Sequence, residues 1–410
     1  MEQFLKDAAN ASKIIATLSG EIKNKVLNKM ADALIENITY IEEENKKDIS
    51  DGELNNLSSA LMDRLLLNED RINGMATAIK EIANLKDPVG RILDGWVVDN
   101  GLNIQKTSVP IGVIGIIYES RPNVTSDTAA LCFKSGNICI LKGGKEAQYS
   151  NAAIAKILQK VLKENDLPTS AVSLLPDSSR EGVANLIKQD KYVDLIIPRG
   201  GEALIKFVSS NATVPVVKHD KGLCHTYIDS DANIQKALDV SLNAKCRRVG
   251  ICGAMETLLV HENIAEEILP LFQAKFKEFD TELRGCEKTQ KIIDINIATN
   301  EDFATEYLDN ILSIKIVDNV SQAVDHIGIY GSGHSDAIIT ENYTNAEEFL
   351  NGIDSACVYV NASTQFTDGG EFGFGAEVGI STNKLHARGP MGINELTTYK
   401  FKIYGNGQIR

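Results

Sequence analysis

The chain has 410 residues, of which 43% are hydrophobic and 24% are charged, and its formal net charge is −14. This length predicts two or three domains of about 100–200 residues each and excludes a single small binding module. No segment holds the roughly 18 uncharged apolar residues of a bilayer span, so we expect a water-soluble protein without a membrane partner. The acidic balance works against binding to nucleic acids, whose phosphates attract basic surfaces.

The first 28 residues predict an amphipathic helix and not a signal peptide. Lys6, Lys13, Glu21 and Lys23 interrupt the apolar positions, so the uninterrupted h-region of a signal is missing and a cytoplasmic location is expected. The seven cysteines are odd in number and never spaced as CxxC. They predict neither a disulfide framework nor a metal site.

The first hundred residues show helical spacing of apolar positions, and a β-hairpin follows. The apolar segments 96–99 and 102–104 flank Asn100-Gly101, a pair that tolerates positive φ at both central turn positions. The sequence therefore predicts a long hairpin, at about 94–109, that closes through a two-residue turn. Such a hairpin leaves unpaired strand edges, which another subunit could cover.

Buried strands then alternate with helical stretches. Near-continuous apolar runs cover 109–117, 138–141, 172–175 and 193–197. Strands that alternate with helices predict right-handed crossovers and a parallel sheet covered on both faces. This region is predicted to be a doubly wound nucleotide-binding domain.

The alternation resumes after residue 220 and predicts a second α/β domain. Strands are expected near 226–228, 256–260, 314–317, 337–339 and 358–360, with helices such as 234–243 and 264–279. The predicted fold class is thus α/β, with two doubly wound domains and a hairpin. The predicted boundaries are 1–222 for the first domain, 223–384 for the second, and 385–410 for a closing strand segment.

Cys252 is the candidate nucleophile. It precedes a predicted buried strand, lies between Gly250 and Gly253, and follows Arg247 and Arg248, whose positive charge would favour a thiolate. The alternative is a buried structural cysteine.

The segment Tyr118-Glu-Ser-Arg-Pro-Asn-Val-Thr125 directly follows a predicted strand. Asn123 could donate a side-chain N–H to a developing oxyanion, and Arg121 could hold a carboxylate or a phosphate. The alternative is a turn around Pro122.

Two further strand ends carry glycines beside cations. Lys142-Gly143-Gly144-Lys145 suits a 2′-phosphate at the adenosine end of a dinucleotide, although a solvated loop fits the same residues. Arg199-Gly200-Gly201 forms a strand-to-helix turn whose free N–H groups could face a pyrophosphate. It is not a GxGxxG motif.

The stretch 354–400 is rich in glycine. It includes Phe366-Thr-Asp-Gly-Gly-Glu-Phe-Gly-Phe-Gly-Ala-Glu377 and His386-Ala-Arg-Gly-Pro-Met-Gly392. Glycines this dense predict loops that lie close to a ligand or to a second backbone. A structural glycine-rich loop is the alternative.

Taken together, these motifs resemble the aldehyde dehydrogenase superfamily and, over nearly the whole chain, its γ-glutamyl phosphate reductase family. The most specific motifs are YESRPNVT, SGNICILKGGKEA, DLIIPRGGEALI, CGAMETLLVH and YGSGHSDAIIT, with the closing DSACVYVNASTQFTDGGEFGFGAEVGIST and KLHARGPMGINELTTYK.

The resemblance assigns roles to individual residues. It implies that Cys252 is the catalytic cysteine, Asn123 the oxyanion asparagine, and Lys142 the lysine that holds the adenosine ribose or its phosphate. Glu306 aligns with the nicotinamide-ribose glutamate, in a segment that departs from the superfamily's Glu-x-Phe-Gly-Pro pattern. It implies an NADP(H)-binding domain at 1–222, a catalytic domain at 223–384 and an oligomerisation strand in 385–410.

The resemblance also implies the reaction. Hydrolytic aldehyde dehydrogenases carry a water-activating glutamate in a Glu-Leu-Gly-Gly turn, whereas the corresponding stretch here is His219-Asp-Lys-Gly-Leu-Cys-His225. We expect NADPH-dependent reduction of L-glutamyl 5-phosphate to L-glutamate 5-semialdehyde through a thioester, in proline biosynthesis. Arg121 and Arg388 are candidates for binding the substrate's anionic groups, with a structural salt bridge as the alternative for each.

The expected partners are other copies of the chain, as a dimer or tetramer, and a glutamate 5-kinase that could hand over the labile substrate. Two alternatives stay open. One is a reductase of another acyl phosphate or of an acyl-coenzyme A on the same fold. The other is an inactive member of the fold that serves as a structural or binding protein.

Overall fold

The computed structural model describes every residue except His219 and Asp220, and it describes Ala60 by its backbone alone. The chain forms two compact units. The first contains Met1–His219, Gly373–Gly379 and Met391–Arg410, and the second contains Asp220–Phe372 and Ile380–Pro390. The sequence predicts boundaries after residues 222 and 384, whereas the chain returns to the first unit twice, at Gly373–Gly379 and at Met391–Arg410.

The first unit opens with five helices. They are α1 (Glu2–Ile15), α2 (Gly20–Glu36), α3 (Ile38–Leu54), α4 (Ser59–Leu65) and α5 (Glu69–Asn84). The single helix expected over 1–28 is thus two helices. The hydroxyl of Ser19 accepts the N–H of Ile22 as an N-cap, which starts α2 afresh. In α2, Val26, Leu27 and Met30 are buried at helical spacing.

A hairpin follows, formed by the antiparallel strands β1 (Ile92–Val97) and β2 (Asn103–Pro110). The prediction of a two-residue turn is wrong. The carbonyl of Val98 accepts the N–H of Gly101, and the N–H of Val98 donates to the carbonyl of Leu102, so the loop between Val98 and Leu102 has three residues. Within this loop only Gly101 has positive φ, at +86°. This is a turn followed by a left-handed glycine, the common solution for three-residue hairpin loops.

The predicted strand over 109–117 is divided between two sheets. β2 ends at Pro110, and β3 begins at Val113 after Gly112, whose φ is +131°. A side chain at Gly112 would collide with the carboxylate of Asp194, which accepts the N–H of Val113. A glycine is therefore required where the chain leaves one sheet for the next.

The first unit then builds a four-stranded parallel sheet with the order β5-β4-β3-β6. The succession is β3 (Val113–Tyr118), α6 (Asn123–Lys134), β4 (Ile138–Lys142), α7 (Gln148–Glu164), β5 (Val172–Leu174), α8 (Arg180–Leu186), β6 (Leu195–Arg199) and α9 (Glu202–Asn211). The strand order reverses between β3 and β6. In such sheets, ligands bind outside the carboxyl ends of the strands at this switch point.

The second unit contains a seven-stranded parallel sheet with the order β10-β9-β11-β8-β7-β12-β13. Its elements are β7 (Cys224–Ile228), α10 (Ile234–Cys246), β8 (Met255–His261), α11 (Glu262–Lys277), β9 (Glu282–Gly285), α12 (Glu287–Gln290), β10 (Asn296–Ile297), α13 (Asn300–Phe303), β11 (Ile311–Val317), α14 (Val320–Tyr330), β12 (Ser335–Ile339), α15 (Tyr343–Gly352) and β13 (Cys357–Val360).

Helices cover both faces of this sheet. Leu258 and Val260 of β8 pack with α10 and α11, while Leu259 packs with α14 and α15. Successive residues of a strand point to opposite faces, so a strand covered on both faces is a continuous apolar run. The two parallel sheets confirm the α/β class and its doubly wound organisation.

Three further strands, two of them only two residues long, complete the structure. β14 (Ile380–Ser381) and β15 (Gly389–Pro390) pair in the second unit, and β16 (Thr397–Tyr404) pairs antiparallel with β2 in the first. The resulting sheet has the order β1-β2-β16. Among the described residues, none of the helices combines the length and the apolar character that crossing a membrane requires.

Candidate functional site

Cys252 is half-buried in the turn between α10 and β8. The turn precedes Met255, the first residue of β8, so Cys252 lies at the amino-terminal edge of the seven-stranded sheet. It is not sealed in a core. Arg247 and Arg248, which the sequence places beside it, are both exposed, and Arg247 donates to the side chain of Gln365 at 3.3 Å.

The backbone of the Cys252 turn is held by neighbours within the second unit. The thiol of Cys224 donates to the carbonyl oxygen of Cys252 at 3.1 Å, and the hydroxyl of Thr364 donates to that of Gly253 at 2.7 Å. Gly222 lies against the same turn, because a Cβ there would be 2.1 Å from the Cys252 carbonyl oxygen. This close approach requires glycine at 222.

Glu306 lies in the second unit and connects to this turn. Its carboxylate accepts the N–H of Gly222 at 2.8 Å. Glu306, which the resemblance assigns to the nicotinamide ribose, therefore binds directly to the segment that packs on Cys252.

Asn123 is exposed at the first residue of α6, in the first unit. The start of this helix is fixed to the end of β3, because the Tyr118 hydroxyl is 2.6 Å from that of Thr125, which in turn donates to Asn151 on α7 at 2.9 Å. The amide of Asn123 donates to Asp127 Oδ2 at 3.0 Å. Burial raises the pKa of Asp127 to about 6.

The predicted cofactor residues lie at the carboxyl edge of the four-stranded sheet. Ile117 pairs with Lys142, and Tyr118 pairs with Arg199, so these two cations flank the end of β3. Lys142 is half-buried, and this burial lowers its pKa, against the raising effect of Glu146 and Glu119. Lys145, by contrast, is exposed.

Gly143 and Gly144 fit closely against their neighbours. A Cβ at Gly143 would be 2.2 Å from the Asn151 amide nitrogen, and one at Gly144 would be 3.3 Å from the backbone nitrogen of Ser120. These contacts explain on packing grounds why both positions are glycine, in addition to the close approach of a phosphate that the sequence suggests.

The turn at Arg199-Gly200-Gly201 differs from the prediction of free N–H groups. The N–H of Gly201 donates to Glu119 Oε1 at 3.1 Å, so the carboxylate uses one donor at the start of α9. Gly200 faces the same side chain, with its Cβ position 2.7 Å from the carboxyl carbon. Glu119 was not singled out from the sequence.

The two arginines proposed for substrate anions are in different units. Arg121 is exposed in the turn between β3 and α6. Arg388 pairs with Asp354 through its Nη2 at 2.8 Å, and Lys384 pairs with the same carboxylate. The salt bridge that the sequence left open for Arg388 is therefore present.

The carboxyl edge of the first sheet fits a dinucleotide. A half-buried lysine, two glycines without space for side chains and a helix start all lie around the strand switch point. Glu119 and Glu146 make this edge less cationic than the sequence motif suggests. Clusters of three or more His, Cys, Asp or Glu side chains that could hold a metal are absent from the described residues.

Three supporting residues were missed by sequence reasoning. Cys224 lies within the stretch compared with the glutamate turn, Thr364 lies inside the glycine-rich stretch 354–400, and Asp127 is four residues after Asn123 on one helix. Only the last has a local signal, since residues i and i+4 meet on a helix.

Comparisons with known proteins agree with the motifs and the fold. The model of the aldehyde dehydrogenase family matches residues 1–290. The γ-glutamyl phosphate reductases of Nautilia profundicola and Sulfurovum sp. are 67% and 66% identical, over all of this chain and of theirs. The crystal structure of the Thermotoga maritima γ-glutamyl phosphate reductase is 48% identical, with a TM-score of 0.98 over 100% of this chain and 99% of that one. The chain belongs to the aldehyde dehydrogenase family and, within it, to the γ-glutamyl phosphate reductases.

Proposed function

We propose that this chain reduces L-glutamyl 5-phosphate to L-glutamate 5-semialdehyde and phosphate, with NADPH as the reductant, as the second step of proline biosynthesis. The observation that carries the proposal is 67% identity over the full length to a γ-glutamyl phosphate reductase. Aldehyde dehydrogenase family enzymes use nicotinamide cofactors. The preference for NADPH is part of the proposal.

Cys252 acts as the nucleophile. Its thiolate attacks the γ-acyl carbon, the C–O bond to phosphate breaks, and a thioester forms on the sulfur. Its half-buried position on a turn, with the carbonyls of residues 252 and 253 both hydrogen-bonded, supports this role. A held backbone lowers the entropy lost in reaching the reactive geometry.

Asn123 stabilises the oxyanion that forms on the acyl oxygen. Its Nδ2 has two hydrogens, and Asp127 accepts one of them at 3.0 Å, which orients the amide and leaves the second for the substrate. A donor of this kind is worth about 3 kcal/mol in the transition state.

The cofactor would lie along the carboxyl edge of the first sheet, where the bound reduced nicotinamide supplies a hydride. Lys142 and Lys145 would contact the 2′-phosphate, which is the basis for preferring NADPH. Gly143 and Gly144 would allow its close approach. Arg199, Gly200 and Gly201 would face the pyrophosphate, and Glu306 the nicotinamide ribose.

Hydrolysis of the thioester is avoided because this chain has no glutamate at the position of the water-activating glutamate of hydrolytic aldehyde dehydrogenases. In the corresponding stretch, His219 and Asp220 lie outside the described residues, and Gly222 and Cys224 contact the Cys252 turn. Without a poised base, water competes poorly for the acyl group. Arg121 and Arg388 would bind the anionic groups of the substrate.

The reverse reaction tests this function. The purified protein, given L-glutamate 5-semialdehyde and NADP, is expected to form NADPH only when phosphate or arsenate is present. Cys252→Ser is expected to lose turnover and to keep NADP(H) binding. Normal activity in Cys252→Ser would overturn the assignment of the nucleophile.

A panel of substrates separates the alternatives. Greater activity with coenzyme A and a simple aldehyde would favour an acyl-coenzyme A reductase, and greater activity with another aldehyde and phosphate would favour a different acyl phosphate. NADP binding without turnover on any of them would favour the inactive, structural alternative.

We also propose that the protein is a homodimer or homotetramer assembled through the β1-β2-β16 sheet. All six residues of β1 and seven of the eight in β16 are exposed. Among them are Trp96, Val97, Phe401 and Ile403, a set of large apolar side chains that a second copy would cover.

A cytoplasmic location and a transient complex with a glutamate 5-kinase complete the proposal. The acyl phosphate is labile in water, so direct transfer from the enzyme that makes it would protect it. Cell fractionation tests the location. Semialdehyde formation in a coupled assay, with and without a hydrolase that destroys free acyl phosphate, tests the transfer.

A further inference from the structure

We propose that Cys224 is a positioning residue for Cys252, which it holds through a hydrogen bond from its thiol to the Cys252 main-chain carbonyl. This inference rests on the proposed role of Cys252 as the nucleophile. It assigns a function to a second cysteine that neither the motifs nor the comparisons single out.

The hydrogen bond is short, and its donor is fully buried. Cys224 is the first residue of β7, its side chain is 0% exposed, and its Sγ is 3.1 Å from the Cys252 carbonyl oxygen. Burial raises the pKa of Cys224 well above its ordinary value, so the thiol keeps its proton and remains a donor. The main-chain N–H of Ser335 also contacts this thiol, and Nδ1 of His334 lies 3.6 Å from it.

The segment before Cys224 presses on the same peptide. The Cβ position of Gly222 lies 2.4 Å from Cys252 Cα, so the two backbones are in direct contact. Glu306 accepts the N–H of Gly222 at 2.8 Å, and Ser332 Oγ accepts that of Leu223 at 3.0 Å. The segment that carries the thiol is therefore itself fixed by side chains.

Two successive carbonyls of the turn are held in this way, that of Cys252 by Cys224 and that of Gly253 by Thr364. The carbonyl of Ile251 also accepts the N–H of Ala254 at 3.0 Å, so the peptide planes on both sides of the Cys252 Cα are held, and with them its backbone torsions and the direction of its Cα–Cβ bond. The sulfur is then left with rotation about χ1 alone. A reactive group held in this way needs little reorganisation to reach its attack geometry.

A simpler reading is that Cys224 only fills space in the core. The two readings make different predictions for three substitutions. Cys224→Ser keeps a donor, Cys224→Val fills the volume without a donor, and Cys224→Ala provides neither. If the hydrogen bond positions Cys252, Cys224→Ser should reduce activity least of the three. If Cys224 only fills space, Cys224→Val should reduce activity least.

The test measures kcat, the KM for the cofactor, and the rate at which iodoacetamide alkylates Cys252, located by mass spectrometry. Cys224→Ser should stay within about 3-fold of wild type in kcat, while Cys224→Val and Cys224→Ala should lose roughly 10-fold or more, with the KM for NADPH unchanged. Alkylation of Cys252 should follow the same order. Cys286→Ala is the matched control, because this half-buried thiol bonds to Thr289 and takes no part in the contacts that hold the Cys252 turn, and it should behave as wild type.

The proposal is overturned if Cys224→Val keeps wild-type kcat and alkylation, or if Cys224→Ser falls as far as Cys224→Val. Loss of the fold in all three variants also overturns it, because the residue would then be purely structural. If the wild-type protein shows no reductase activity, the proposed function fails, and the alkylation rates at Cys252 still decide the role of Cys224.

Discussion

Lys245 and Glu256 form an ion pair of 2.7 Å in which the two side chains are 0% and 1% exposed. Lys245 is in the last turn of α10 and Glu256 is the second residue of β8, so the pair joins the two elements on either side of the Cys252 turn. The Glu256 carboxylate also accepts the N–H of Leu308 at 3.3 Å.

Breaking this pair on one side is expected to destabilise the protein strongly. Lys245→Met leaves a buried carboxylate without its cation and should lower the free energy of unfolding by about 3–5 kcal/mol. The double variant Lys245→Met/Glu256→Leu removes both charges and should recover most of that loss. Chemical denaturation of all three proteins measures this, and a double variant no more stable than the single one would contradict it.

The contact between Asn123 and Asp127 leads to a prediction about turnover. Asn123→Ala should lower kcat by roughly 100-fold or more, because the oxyanion loses its side-chain donor. Asp127→Ala should lower kcat by a smaller factor, about 10-fold, because the donor is kept but is no longer oriented. Asn211→Ala, at the exposed end of α9, is the control. Equal kcat in wild type and Asn123→Ala would exclude the oxyanion role.

Lys142 should determine the choice between the two nicotinamide cofactors. If it contacts the 2′-phosphate, Lys142→Ala should raise the KM for NADPH about 10-fold or more and change the KM for NADH little. Steady-state kinetics with both cofactors measures the difference. Lys145→Ala provides the comparison with an exposed lysine at the same edge, and an equal loss for both cofactors would argue against the phosphate contact.

His326 should make stability depend on pH. Burial, together with the smaller effects of the charges on His225 and Lys315, lowers the pKa of His326 to about 3. The unfolded chain takes up this proton near pH 6.5, whereas the folded protein does not until about pH 3, so stability is lost as the pH falls between these values.

The variant His326→Gln isolates this effect. The difference in unfolding free energy between the wild type and the variant should shift, as the pH falls from 6 to 5, by at most about 1.4 kcal/mol, at the expense of the wild type. Urea denaturation at pH 5, 6 and 7.5 measures it. A difference that does not change with pH would show that His326 does not titrate differently in the two states.

The exposed sheet should hold copies of the chain together. Trp96 of β1 and Phe401 of β16 lie on either side of β2, and their rings meet edge to face with centroids 6.1 Å apart. Trp96→Glu and Phe401→Glu should each give a smaller species in light scattering after size-exclusion chromatography, because a charge would be buried in the interface. Ile329→Glu, at an exposed apolar residue of the second unit, should leave the mass unchanged. An unchanged mass in all three would place the interface elsewhere.

The alternation of strands and helices was predictable because each buried strand is a short apolar run between turn residues. The breaks within such runs were not. Val109 to Ile117 is almost uniformly apolar, and it is divided at Gly112, which has positive φ and lies against Asp194, the residue before β6. The hairpin was expected from Asn100-Gly101, but its loop length depends on the register of the strands, which the pair does not specify.

The sequence could predict which residues form the candidate site, but not the contacts that hold them. Cys252, Asn123 and Lys142 stand out because their motifs are specific. Cys224 and Thr364 do not, because their roles come from hydrogen bonds to carbonyls 28 and 111 residues away. Side chains that support a backbone leave no pattern in sequence, since any residue of suitable size and donor capacity would serve.

The pairing of β16 with β2 has a consequence for synthesis of the chain. The four-stranded sheet and the whole of the second unit lie between these two strands in the sequence, so β2 has only β1 beside it until the last segment has been made. At about 5–20 residues per second, the nascent chain carries this open edge for roughly 15–60 s. On the ribosome, then, the hairpin is a transient site for wrong pairing, which chaperones would have to shield until β16 arrives.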